Sequence, residues 1–204
     1  NTPEYGHAGT CDNRLGRSCT NPWDPARTSG GSSGGAAAAL ASGMTPLEVG
    51  SDLAGSIRTP AHFCGVFGHK PTRDLVSLRG HIPGPPGTQS RPDLAVGGPM
   101  ARCSRDLELL LDVIAGPRPA DARSWALAME PATLETLAQA RVGLWLDDPL
   151  CPIETELSAG YRDLAGKLEG QGALVAEPNH RLLNLEHILP AYFNLLGSLL
   201  ATSL

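Results

Sequence analysis

Residues Gly30–Thr72 read GGSSGGAAAALASGMTPLEVGSDLAGSIRTPAHFCGVFGHKPT, and the fold turns on what that stretch does. Gly/Ser sequence is ordinarily a flexible tether. This tract instead passes without a compositional break into Ala36–Ser42, where four successive alanines followed by Gly43 predict a short helix with a glycine just past its end. A phosphate cradle would need a Gly-Lys-Ser/Thr ending or the spaced G-x-G-x-x-G pattern, and the tract has neither. What is left is nucleophilic chemistry: glycines that let the backbone approach a substrate closely, beside the paired hydroxyls of Ser32 and Ser33.

Working outward, Pro46–Asp52 (PLEVGSD) predicts a buried strand, Leu53–Ser56 (LAGS) a turn, Ile57–Cys64 a short helix, and VFGHKPT a second extended piece. Residues 1–29 are rich in Gly, Asn, Pro and Arg and read as ordered turns. Residues 79–99 are a Pro/Gly-rich connection. Ser104 then caps a helix whose Leu107, Leu110, Leu111 and Ile114 form one apolar face, ended by Gly116 and Pro117. Residues 117–138 are linker-like and then weakly helical. A strand at Arg141–Leu146, a helix with Leu157, Tyr161, Leu164 and Leu168 on one face, and a strand at Ala173–Glu177 follow, an order that implies an α/β layer with some parallel pairing.

With 41% hydrophobic and 18% charged residues over 204 positions, the chain has the material for a folded core. The net charge of -5 and only two lysines leave no basic stripe for a phosphate backbone, so nucleic acid is not an expected partner. Five cysteines, none in a Cys-x-x-Cys pair, suit a reducing cytoplasm better than a disulfide framework and indicate no zinc site. The apolar tail Ile188–Leu204 is interrupted by Pro190 and Asn194 and falls short of the roughly 20 apolar residues that span a bilayer. Its Tyr192, Leu195, Leu196, Leu199 and Leu200 recur at helical spacing. The opening at Asn1 and the uncapped end at Leu204 suggest a chain cut at both ends.

Gly31–Gly35 also satisfies G-x-S-x-G, with Ser33 as an elbow nucleophile and Asp163 with His180 or His187 completing the order Ser, Asp, His. An elbow follows a strand, however, and the turn-rich residues before Ser33 do not make one.

The stretch as a whole, Gly30–Thr72, resembles the signature segment of the amidase signature family. The similarity extends to NTPEYG at the start, to TNPWDP (Thr20–Pro25), to LAVGGPMARCSRDLELLLDVIAGP (Leu94–Pro117), and more weakly from RVGLWLDD to about residue 177. It implies an α/β amidase-signature fold, a mixed and largely parallel sheet covered by helices on both faces, present here in part. Residues 1–204 would form a single partial domain, with the signature core at 20–117 and a strand–helix–strand region at 139–204.

The resemblance also implies a reaction: hydrolysis of an amide bond by a Ser, cis-Ser, Lys triad through an acyl-enzyme, releasing a carboxylate and ammonia or an amine, without metal or organic cofactor. Ser56, in AGSIR, matches the acylated nucleophile. Ser32, 24 positions earlier, matches the cis-serine, and a hydroxyl suits that relay because it both donates and accepts. Leu53, Ala54 and Gly55 would turn backbone N–H groups toward the oxyanion, Ala54 standing where the family more usually has glycine. Ser33, Asp52 and Arg58, with Gly31 and Gly34, would support the site, an ion pair and a helix start being the plainer roles for Asp52 and Arg58. The family's lysine lies upstream of the Gly/Ser tract, and none of the 31 residues before Ser32 is a lysine, so the base is expected outside this chain. Lys70 matches a position outside the triad. Cys64 reads as a small buried apolar residue and the six histidines as structural. The expected partner is a small-molecule amide, with a homodimer left open. Three alternatives stand beside this reading: the glutaminase subunit of a tRNA-dependent amidotransferase, whose Tyr-Gly-Leu and Phe-Ala-Ser-Ser-Leu-Asp-Gln runs are absent from residues 81–102; the Ser33 elbow; and a non-catalytic family member.

Overall fold

The computed structural model describes residues 1–16, 18–81, 93–118, 120–129, 133–177 and 184–201. They form two compact units, Asn1–Leu127 with Leu195–Leu204, and Ala128–Asn194.

The first unit is built on α1 (Gly34–Ala41), β1 (Leu47–Asp52), α2 (Arg58–Cys64), β2 (Phe67–Gly68), β3 (Val96–Ala101) and α3 (Ser104–Ile114). The alanine run is helical as expected, beginning two residues earlier than its composition suggests. β3 lies between the other two strands and pairs antiparallel with each, Leu47 facing Ala101 and Asp52 facing Val96 on one side, Phe67 facing Ala101 on the other. β1 and β2 therefore run the same way, joined through α2, with β3 inserted between them. The class is α/β as expected. The parallel character, by contrast, is confined among the described residues to one strand pair of the second unit, because β3 returns against both of its neighbours.

β3 is the element that composition hides. VGGPMA lies at the end of a Pro/Gly-rich segment, and glycine and proline both argue against a central strand. All six of its residues are nevertheless buried. Close approach explains the glycine at 98: a Cβ there would lie 2.2 Å from the His69 carbonyl oxygen. The core under the sheet consists of Ala37, Leu40, Ile57, Ala61, Cys64 and Met100, with Ala36, Ala41 and Val66 packed against it. Alanines on α1 and α2 let these two short helices approach closely. α3 follows with Leu107, Leu110, Leu111 and Ile114 half-buried and Leu109 and Val113 exposed, the amphipathic face its spacing predicts. Its N-cap is Cys103 rather than Ser104, and no side chain caps it.

The second unit holds β4 (Arg141–Gly143), α4 (Thr155–Glu169) and β5 (Leu174–Ala176), with β4 and β5 parallel and Val142 facing Val175. A parallel pair needs a crossover, and α4 supplies it. The stripe of Leu157, Tyr161 and Leu164 is mostly exposed here, and the buried residue of α4 is Ala165. The last helix, α5 (Leu185–Ala201), runs on through Pro190. No helix among the described residues is long and apolar enough to cross a membrane.

Candidate active site

The Gly/Ser tract is built into the first unit rather than strung between units. Ser29 is fully buried and Ser32 is 4% exposed. The Gly31–Ser32 peptide is cis. Neighbouring chain crowds the flanking glycines, since a Cβ at Gly31 would lie 2.7 Å from backbone atoms of Ala8, Gly9 and Thr10, and one at Gly34 would meet Ser29 Oγ and Cys11 Sγ. The Ser32 carbonyl oxygen accepts hydrogen bonds from Thr2 Oγ1 at 2.9 Å and Cys11 Sγ at 3.2 Å.

Ser33 links this tract to the second half of the stretch. It precedes α1, its N–H donates to the Ser56 carbonyl oxygen at 3.1 Å, and its hydroxyl reaches the Ser51 carbonyl oxygen at 3.5 Å. The segments that carry Ser32 and Ser56 are thus held side by side. Bends rather than a strand lead into Ser33, so the geometry of an elbow is missing. Of the elbow's other expected members, Asp163 pairs with Lys167 on α4 at 2.6 Å, His187 lies on α5, and His180 is outside the described residues.

The turn Leu53–Ser56 folds around Asp52. This carboxylate is fully buried and accepts from the N–H groups of Gly55 (2.9 Å), Ile57 (3.1 Å) and Arg58 (3.3 Å), and from Arg58 Nε and Nη2 at 3.0 and 2.9 Å. Burial alone would raise its pKa. The Arg58 guanidinium and the Gly55 and Ile57 N–H groups outweigh that effect and hold it below the usual aspartate value. One expectation changes as a result. The Gly55 N–H is directed at Asp52 rather than at an oxyanion, whereas those of Leu53, Ala54 and Ser56 have no hydrogen-bond acceptor among the described residues. Gly55 has φ +110°, a conformation open to glycine, and its carbonyl accepts from Thr59 N–H at 2.7 Å.

Ile57, the residue after Ser56, anchors the turn to the sheet. It is fully buried, and its side chain fills space left by a glycine from each strand: a Cβ at Gly50, Gly68 or Gly98 would come within 2.9, 2.8 or 3.1 Å of it. Ser56 is half-buried at the rim of this arrangement.

Several residues stand apart from the serines. Among the described residues, Lys70 Nζ reaches the Pro71 carbonyl alone, at 3.5 Å. Cys64 is fully buried, as expected, and burial together with neighbouring Cys19 and Cys11 pushes its thiol up to about 11. Sequence reasoning passed over Thr2 and Cys11, which hold the Ser32 carbonyl, and His81, whose Nε2 lies 2.9 Å from Ser51 Oγ. These residues are 21 to 30 positions away from their partners, and no local pattern announces such contacts.

Comparison with known proteins agrees with this architecture. The model of the Amidase family matches residues 1–202, and the chain belongs to that family. It is 39% identical over 194 residues to the A subunit of glutamyl-tRNA(Gln) amidotransferase from Saccharolobus solfataricus, a match covering 95% of this chain and 39% of that protein. It is likewise 39% identical over 181 residues to 6-aminohexanoate-cyclic-dimer hydrolase of Paenarthrobacter ureafaciens, covering 84% of the chain and 35% of the relative. Among solved structures, fatty acid amide hydrolase superposes with a TM-score of 0.77 at 31% identity, over 89% of this chain and 32% of that one. The chain therefore spans less than half the length of the curated relatives it matches.

Proposed function

We propose that the protein carrying this chain is an amidase that hydrolyses a small-molecule amide, and that the 204 residues are part of a single amidase domain. The observation that carries the reading is the Ser33 N–H to Ser56 carbonyl bond, which joins the two serine-bearing segments across the fold. Ser56 Oγ attacks the amide carbonyl and its proton passes to Ser32. The tetrahedral oxyanion is met by the N–H groups of Leu53 and Ala54, donors aimed where charge develops. The C–N bond breaks, the amine leaves with a proton, and water then attacks the acyl-Ser56 ester to release the carboxylate. The base behind Ser32 is a lysine in sequence preceding Asn1, as the greater length of the relatives allows. The five unpaired cysteines fit a reducing, cytoplasmic setting.

The test is fluorophosphonate labelling of the intact protein, with the adduct located by peptide mass spectrometry. The expected site is Ser56, with labelling lost in Ser56→Ala and retained in Lys70→Ala. An adduct on Ser33 would replace this reading with the elbow. A second reading, a component of a tRNA-dependent amidotransferase, is favoured by the 39% identity over 95% of the chain. Co-purification with partner proteins and tRNA, together with glutaminase activity that depends on them, would establish it.

A further inference from the structure

Three of the five cysteines line one strip of backbone, the segment that carries Ser32. Cys11 Sγ donates to the Ser32 carbonyl at 3.2 Å, Cys64 Sγ lies 3.6 Å from the Ser29 carbonyl, and Cys19 Sγ lies 3.9 Å from the Gly34 carbonyl. Cys11 and Cys19 are also joined through the backbone, Cys19 N–H donating to the Cys11 carbonyl at 3.0 Å. With standard bond lengths, that bond keeps their Cα atoms within about 7 Å, the span a disulfide bridges. Both side chains converge on Gly34: a Cβ there would lie 2.7 Å from Cys11 Sγ, and its carbonyl is the contact of Cys19 Sγ. Both thiols are free, and they differ in access, Cys11 being 1% exposed and Cys19 half-buried.

We propose that Cys11 and Cys19 are a reversible dithiol–disulfide pair, a modification site for peroxide, whose closure slows acylation of Ser56 by releasing the Ser32 carbonyl. The Cys19 thiolate attacks one peroxide oxygen, the O–O bond breaks, and water leaves with a sulfenic acid on Cys19. Cys11 sulfur then displaces the sulfenic oxygen as a second water, forming the S–S bond. Two thiols are oxidised and one peroxide is reduced to two waters. Access sets the order, because the half-buried thiol meets the oxidant and the buried one resolves it. Forming the bond turns Cys11 Sγ away from Ser32, whose carbonyl then keeps Thr2 Oγ1 alone among the described donors. The effect on acylation rests on the function proposed above, whereas formation of the disulfide does not.

The experiment treats the intact protein with hydrogen peroxide, blocks residual thiols, and digests it with trypsin without reductant. Because cleavage falls at Arg14, Arg17 and Arg27, the expected product is the peptide ending at Arg14 joined to peptide 18–27, lighter by two hydrogens and separated again by dithiothreitol. Fluorophosphonate labelling of Ser56 should slow about fivefold, the scale of one lost hydrogen bond, and recover on reduction. Cys19→Ser should label at an unchanged rate with or without peroxide. Overoxidation of Cys19 without a cross-link, or a cross-link to Cys64 in place of Cys11, would overturn the pair. A cross-linked protein that labels Ser56 as fast as the dithiol form would overturn the regulation. If the dithiol form does not label at Ser56 at all, the amidase reading fails and the cross-linked peptide alone decides the pair.

Discussion

Arg58 grips the carboxylate of Asp52 through two parallel bonds, Nε to Oδ2 at 3.0 Å and Nη2 to Oδ1 at 2.9 Å, while the same carboxylate accepts the backbone N–H groups of Gly55, Ile57 and Arg58 on either side of Ser56. The two partners are unequal. Asp52 is fully buried, and the Arg58 side chain is 55% exposed. Removing the aspartate leaves the N–H groups of Gly55 and Ile57 without their acceptor, at about 1–3 kcal/mol for a buried unsatisfied group. Removing the arginine costs less, because solvent screens its share of the pair to about 1 kcal/mol or below. Asp52→Ala is therefore expected to destabilise the protein more than Arg58→Ala, and to slow labelling of Ser56 as its turn loosens. Chemical denaturation of the two variants checks the order, and equal losses would mean that the ion pair, not the backbone capture, carries the effect.

The same carboxylate fixes the direction of one pH dependence. Its pKa is held below the usual 3.8 in the folded state, so its contribution to stability is complete above that value and disappears as pH falls through the lower, folded one. Unfolding free energy measured by urea titration should drop on acidification below about pH 4, and Asp52→Asn should flatten that part of the profile. Parallel profiles for the two proteins would show that Asp52 does not supply this dependence.

Much of this site is legible in the sequence because its residues lie in one run. Ser32, Ser33, Asp52, Ser56 and Arg58 fall within Gly30–Thr72, and the strand, turn and helix that present the second group follow from a strand pattern, a LAGS turn and a glycine-terminated helix. Beyond the long-range contacts of Thr2, Cys11 and His81, two kinds of feature were not legible. β3 was hidden because its Gly97, Gly98 and Pro99 are strand breakers by propensity, and the closeness of His69, Pro71 and Ile57 to Gly98 and of Val76 to Gly97 explains why small residues belong there. The allocation of N–H groups was hidden as well: three successive turn residues present equivalent donors in sequence, and Asp52 takes that of Gly55 in the folded chain.

Ile57 offers a test of how rigidly the sheet holds the turn. Its side chain occupies the space that Gly50, Gly68 and Gly98 leave on three strands, so truncation to alanine opens a cavity bounded largely by backbone, which relaxes poorly. Ile57→Ala should cost about 2–5 kcal/mol and weaken labelling of the adjacent Ser56. Gly98→Ala applies the opposite stress, setting a methyl against the His69 carbonyl, and overpacking of this kind costs about 1–3 kcal/mol. Thermal unfolding measures both, and a Gly98→Ala protein as stable as the parent would show that β2 and β3 are not held at this spacing.

Ser33 separates backbone from side chain within the site. Its N–H makes the 3.1 Å bond to the Ser56 carbonyl, whereas its hydroxyl makes a long contact of 3.5 Å with Ser51. Alanine keeps the first and removes the second, so Ser33→Ala should lose at most about 1.5 kcal/mol of stability and should still form the fluorophosphonate adduct at Ser56. Proline removes the N–H, and Ser33→Pro should abolish the adduct by parting the two segments. Loss of labelling in a folded Ser33→Ala protein would transfer the nucleophile's role to Ser33, because the alanine leaves every backbone contact between the two halves in place.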